Sequence, residues 1–181
     1  MAVLSKRMTV EEFDQFVESD SGDRLFEYIG GEIVEVVCNN YSSIVAAQVL
    51  IAIGAYVKKR GLGYVTGEAG GYSVAGERYM PDVGFISKTK QPEPPHGAYI
   101  PHAPDLAVEV LSPTDKPDEV RIKVINYLAA GTTVWLIDPE SKRAEIYTPG
   151  PRVKRVGIDG TLDGGEVLPG FKLAVKELFP E

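Results

Sequence analysis

The sequence predicts an α/β fold, read as one domain across residues 1–181. Three observations carry that prediction. Pro104–Asp138 runs strand, helix, strand, the order of a right-handed parallel crossover. Tyr41–Arg60 is the longest helical pattern and is apolar over much of its circumference. Short alternating runs bounded by glycine and proline flank both, as antiparallel strands do. No linker composition and no internal repeat divides the chain.

Taken in order, Met8–Glu18 sets Thr9 three residues before Glu12, a capping-box spacing, with Phe13, Phe16 and Val17 as its apolar side. Arg24–Val37 reads as a hairpin turning at Gly30-Gly31, and Glu27 stands beside Phe26 in its first strand. Along Tyr41–Arg60, apolar residues from Ile44 to Val57 surround the helix, which predicts cover on most sides. It ends in Lys58-Lys59-Arg60-Gly61, cations and a glycine that suit a helix C-terminus. Tyr64–Val74 is glycine-rich and short-stranded. It is no phosphate loop, because it follows a helix and lacks Gly-Lys-Ser/Thr. Arg78–Ile86 predicts a strand with Val83 and Phe85 on one face and Asp82, Gly84 and Ile86 on the other. Glycine beside the acid leaves room for a ligand near the backbone. The proline-rich Ser87–Ala103 is a loop, and its His96 and His102 read as exposed side chains.

The chain is organised around Pro104–Tyr127. As a strand it points Leu106, Val108 and Val110 one way and Asp105, Ala107, Glu109 and Leu111 the other. A carboxylate in so apolar a strand needs a partner, a proton or a metal. The helix that follows has Thr114 or Asp115 as N-cap, Pro117 in its first turn, and its stop at Ala130-Gly131. At about 100° per residue, Lys123 lies about 40° from Tyr127 and borders the apolar stripe. Thr133–Asp138 suits an inner strand, and Arg143–Thr148 with Arg152–Ile158 suit an antiparallel pair. The tail supplies a last strand and a short helix.

The 44% hydrophobic and 25% charged composition is that of an ordinary globular chain. No run approaches an uninterrupted membrane span, and MAVLSKRMTVEEF lacks a signal-peptide apolar region, so no membrane association is expected. A single cysteine, Cys38, excludes an internal disulfide framework, fits a cytoplasmic setting, and reads as a packed thiol. The net charge of −7 argues against sequence-blind nucleic-acid binding by bulk charge, though not against a nuclease whose acidic site holds metal.

Asp82 and Glu109 are acids in separate apolar strands. If those strands are neighbours, the two carboxylates can share Mg²⁺ or Mn²⁺, with water completing the shell. Lys123 would then orient water or offset charge developing on phosphorus, and Glu27 would support the metal or the long helix. A structural ion pair explains the same residues equally well.

The order LFEYIGGEIVE with Glu27, RYMPDVGF with Asp82, PDLAVEVLSP with Glu109, then Lys123, Tyr127, VWLIDP and the ending VLPGFKLAVKELF resembles the Uma2 family, also called DUF820, over nearly the whole chain. That resemblance implies a restriction-endonuclease-like core of the PD-(D/E)xK superfamily, a central mixed sheet flanked by helices with added N- and C-terminal strands. It implies Asp82 and Glu109 as catalytic and metal-binding acids, with Glu27 and Tyr127 supporting. Leu111 stands where the strand lysine of that motif is expected, and Lys123 on the next helix takes its place. Asp105 forms a second Pro-Asp pair too close to Glu109 to be its partner. Tyr41 stands where many relatives carry histidine. The expected activity is Mg²⁺-dependent hydrolysis of DNA by a homodimer, whose contact would use open sheet edges. An RNA or small-molecule phosphoesterase would use the same residues. The alternative from another class is a non-catalytic interaction domain that keeps the nuclease fold.

Overall fold

The computed structural model describes residues 7–180 apart from 21, 23, 38 and 151, so the expectation for Cys38 lies outside the described residues. The chain begins with α1 (Val10–Ser19), the hairpin β1 (Phe26–Ile29) and β2 (Glu32–Glu35), and α2 (Asn40–Arg60). Next come β3 (Gly63–Gly67), β4 (Gly71–Val74), β5 (Glu77–Tyr79), β6 (Val83–Ser87) and β7 (Tyr99–Ile100). β8 (Leu106–Val110), α3 (Pro117–Ala129) and β9 (Thr133–Asp138) form the crossover. β10 (Arg143–Thr148), β11 (Arg152–Val156), β12 (Thr161–Asp163), β13 (Lys172–Ala174) and a 3₁₀ turn, Val175–Leu178, complete it.

The central sheet is mixed, in the order β11-β10-β9-β8-β6-β3, with only β8 and β9 parallel among these pairs. A second sheet runs β2-β1-β5-β4-β7, and β12-β13 stand apart. Period-two alternation divides the central strands between two cores. Val83, Phe85, Leu106, Val108, Val110, Trp135 and Ile137 pack with α2 and the C-terminal residues Leu168–Phe179. On the opposite side, Ile86, Ala107 and Val134 pack with Val124 and Tyr127 of α3 and with Tyr72, Val74 and Tyr79 of the second sheet.

Most elements fall where the sequence sets them. The Thr9–Glu12 capping box is formed in both directions, and Gly61 closes α2 at φ 64°. Five expectations change. Asp82 is not inside a strand: the chain leaves the second sheet at β5 and enters the central one at β6, and Asp82 stands in the bend between them. The space over Gly84 is filled by the Tyr72 ring, since a Cβ there would lie 2.5 Å from the Tyr72 hydroxyl. The α3 N-cap is Lys116, because Asp115 instead accepts from the Ser112 N–H at 2.8 Å and holds the preceding turn. β7 and β12, each short and set in irregular sequence, are additional strands. Finally, α2 buries one face only, leaving Ile44 and Ile51 exposed, and by length and composition alone it is apolar enough to cross a membrane.

Candidate active site

β8 is fixed by its apolar face, and that same alternation turns Glu109 to the other side of the sheet. The β6–β8 register pairs Val83 with Val108, so Asp82, one residue earlier, stands level with Glu109. Its Oδ2 accepts from the Val110 N–H at 2.6 Å, which pins the bend to the neighbouring strand. Glu27 arrives from β1 in the second sheet, buried, and its Oε1 accepts from the Met80 N–H at 2.6 Å.

α3 supplies the counter-charge. Lys123 Nζ lies 2.9 Å from Glu27 Oε1, 3.2 Å from Glu27 Oε2 and 2.9 Å from Glu109 Oε2. One turn on, the Tyr127 hydroxyl donates to Glu109 Oε1 at 2.9 Å. The Tyr79 ring adds a face to the ammonium, 5.7 Å from its centroid. Tyr79 is held in turn by Asn126 at 2.6 Å and by Glu77, whose other oxygen accepts from the Gly30 N–H at 2.7 Å. Four acids and hydroxyls from distant parts of the chain therefore converge on one lysine.

Glu27, Asp82 and Glu109 against Lys123 leave two negative charges in excess when all are ionised. Burial pushes the Glu109 carboxyl up to about 8, against the pull of Lys123 and helped by Glu27 and Asp82. Burial likewise raises Asp82 to about 6, opposed by the Val110 N–H and Lys123. For Lys123 burial acts downward, yet Glu109 and Glu27 outweigh it and hold the ammonium above its ordinary value. Tyr127 is raised by burial and by Glu109, so it remains a proton donor.

These groups line a cleft of about 130 Å³. Its wall includes seven acids (Glu27, Glu35, Glu68, Asp82, Glu109, Asp115 and Glu119) and only two lysines, Lys116 and Lys123. The first turn of α2 borders it through Asn39, Ser42 and Ser43, and the Ser42 hydroxyl donates to the Leu111 carbonyl at 3.1 Å. Among the described residues no three Asp, Glu, His or Cys side chains gather closely enough to hold a metal between them. The donor set is a pair of oxygen ligands, Asp82 and Glu109, in surroundings short of positive charge. Such a set suits Mg²⁺, which keeps much of its water, better than Zn²⁺ with its His and Cys ligands.

The structure thus brings Glu27, Asp82, Glu109, Lys123 and Tyr127 together. It leaves Tyr41 on the outer side of α2, away from the cleft wall, and His96 and His102 exposed. Asp105 serves elsewhere, accepting from the Ser87 N–H at 2.6 Å and pairing with Lys90 at 3.3 Å. Sequence reasoning missed Tyr79, Glu77 and Asn126. The alternation Glu77–Tyr79 beside a helix stripe offered a faint signal, but nothing in one strand shows which helix it will meet.

Residues 10–176 match the Uma2 family, described as "Putative restriction endonuclease". The chain belongs to the Uma2 family. Among solved structures it is similar to a putative nuclease belonging to DUF820 from Anabaena variabilis ATCC 29413, at 22% identity and a TM-score of 0.81. That similarity covers 92% of this chain and 96% of the other. It establishes the shared fold of the two Uma2-type chains. No curated protein matches.

Proposed function

We propose that this Uma2 protein is a metal-dependent endonuclease that hydrolyses DNA phosphodiester bonds, a PD-(D/E)xK-type site with its lysine moved to the following helix. The observation that carries this reading is the pairing of Asp82 with Glu109 across β6–β8, beside a lysine already held between two carboxylates. Asp82 and Glu109 would hold Mg²⁺ or Mn²⁺. A bound divalent cation supplies a polarised phosphate, a more acidic water and a stabilised leaving oxygen.

The chain's own groups do the positioning. Glu27, fixed by the Met80 N–H, keeps the Lys123 ammonium at the cleft, where it can face a non-bridging phosphate oxygen or orient water. Tyr127 fixes the plane of the Glu109 carboxyl. A cleft with seven acids repels a polyanion until cations neutralise it, so DNA binding at this site depends on the metal.

One observation favours a second reading. Both Glu109 oxygens already have partners, Lys123 and Tyr127, as in a buried ionic network of a non-catalytic interaction domain. Calorimetric titration of Mn²⁺ and Mg²⁺ into wild type, Asp82→Ala and Glu109→Ala separates the two. Binding lost in both variants, followed by cleavage in a screen of plasmid, single-stranded DNA and RNA, supports the nuclease. Folded wild type that neither binds metal nor cuts in its presence overturns it in favour of the network.

A further inference from the structure

The outer face of α2 is out of keeping with the rest of the surface. From Asn40 to Val57 no residue carries a charge, yet this helix buries only the side built from Val45, Val49, Ile53 and Val57. Tyr41, Ile44 and Ile51 are 42%, 45% and 65% exposed, and Ala47 and Ala55 are exposed beside them. At about 100° per residue these five positions fall in one stripe centred on Ile44 and Ile51. Exposed Ile125, Val153 and Ile158 lie on other elements, which is ordinary, whereas a continuous stripe is what a partner covers.

We infer that α2 pairs antiparallel with α2 of a second copy of this chain, about a two-fold axis between Ala47 and Gln48. The stripe is self-complementary about that point. Ile44 then meets the partner's Ile51, and Tyr41 meets the partner's Gly54. Gly54 is an unfavourable residue for mid-helix, and a Cβ added to it would touch nothing within 4 Å, so nothing in its own subunit requires glycine there. A facing tyrosine ring does. Charge agrees with the same direction. Lys58 and Lys59, both exposed, extend over the partner's exposed Glu35, which lies just before α2, and opposite ends of the helix dipoles lie together. A lipid surface fits the stripe less well, for it lacks Trp and Phe and its cations sit only at one end.

This interface replaces the sheet-edge contact expected from the sequence. It is independent of the nuclease reading, although it has a consequence for it. Because the first turn of α2 borders the cleft, pairing sets two clefts at opposite ends of the helix pair, roughly 30 Å apart by helix length.

Light scattering after size exclusion at micromolar concentration tests it without any activity. Wild type is expected at twice 19.7 kDa, and Ile51→Glu at the monomer mass, with self-association weakened at least about tenfold. Because Ile51 is exposed, the circular-dichroism spectrum and melting temperature of that variant should match a monomeric reference. As a second measure, Gln48→Cys in a Cys38→Ser background should form an intermolecular disulfide on mild oxidation, while Ile125→Cys in the same background should not. A wild type that stays monomeric at ~100 μM overturns the inference, as does a dimer that persists in Ile51→Glu without a Gln48→Cys crosslink. Monomeric protein that binds anionic lipid vesicles through the stripe overturns it in favour of a membrane.

Discussion

The two faces of the central sheet are built on opposite terms. Against α2 and the C-terminal strands the contacts are apolar throughout, with Trp135 stacked on Phe171 at 6.0 Å between centroids. Against α3 and the second sheet the packing gives way to buried carboxylates, an ammonium and tyrosine hydroxyls. The first face gains stability from every atom it buries. The second spends part of that gain on desolvating charge, and it holds together because each charged group has a partner. A fold with one dry face can carry a costly site on the other.

That contrast can be broken from either side. On the dry face, Trp135→Ala should cost about 3–5 kcal/mol, by transfer and cavity together, and the loss should be the same with or without Mg²⁺. Urea denaturation in both conditions measures it. On the polar face, Lys123→Met strands Glu27 and Glu109 without their cation, and should also cost about 3–5 kcal/mol near pH 8. The cost should shrink toward pH 5, where the carboxyls take up protons, whereas a Trp135→Ala loss should not vary in that way.

The pH dependence of wild type sharpens the comparison. Glu109 rises from an ordinary 4.5 to about 8 and Asp82 from 3.8 to about 6, so the folded chain keeps protons that the unfolded chain releases. Their contribution is fully present below the unfolded values and is lost as pH rises through about 6 and then about 8. Melting temperatures should therefore fall across that window in metal-free protein, and Glu109→Gln should flatten the fall. Mg²⁺ should restore more of the loss at pH 8 than at pH 6, because binding displaces protons. The smallest effect belongs to Tyr127→Phe, about 1 kcal/mol for the lost hydrogen bond to Glu109, with Mg²⁺ affinity as its more sensitive readout.

Much of this was legible in the chain because the signals were local. The Thr9–Glu12 box, the Gly30-Gly31 turn, the Gly61 stop and the alternation through Leu106–Val110 each depend on near neighbours, and each formed. The five site residues were legible through their order, which the Uma2 resemblance carries. What failed was long-range. Arg78–Ile86 reads as one strand because nothing within it reveals that Tyr79 and Val83 join different sheets. Gly84 reads as room for a ligand because Tyr72, twelve positions earlier, fills the space only after the second sheet docks. The cover on α2 was overestimated because composition gives the apolar faces of a helix without saying which of them its own chain will meet.

Glu27 and Lys123 stand 96 positions apart, and that separation bears on how the protein is made. Synthesis runs from the N-terminus, so the β1 hairpin leaves the ribosome well before α3. Until α3 has emerged, Glu27 has no ammonium to face, and Glu109 lacks both of its donors. A truncated or half-made chain can fold its first hairpin yet cannot assemble the cleft. Completion of the polypeptide through α3 thus becomes a condition for the site to exist, and unfinished copies are born without it.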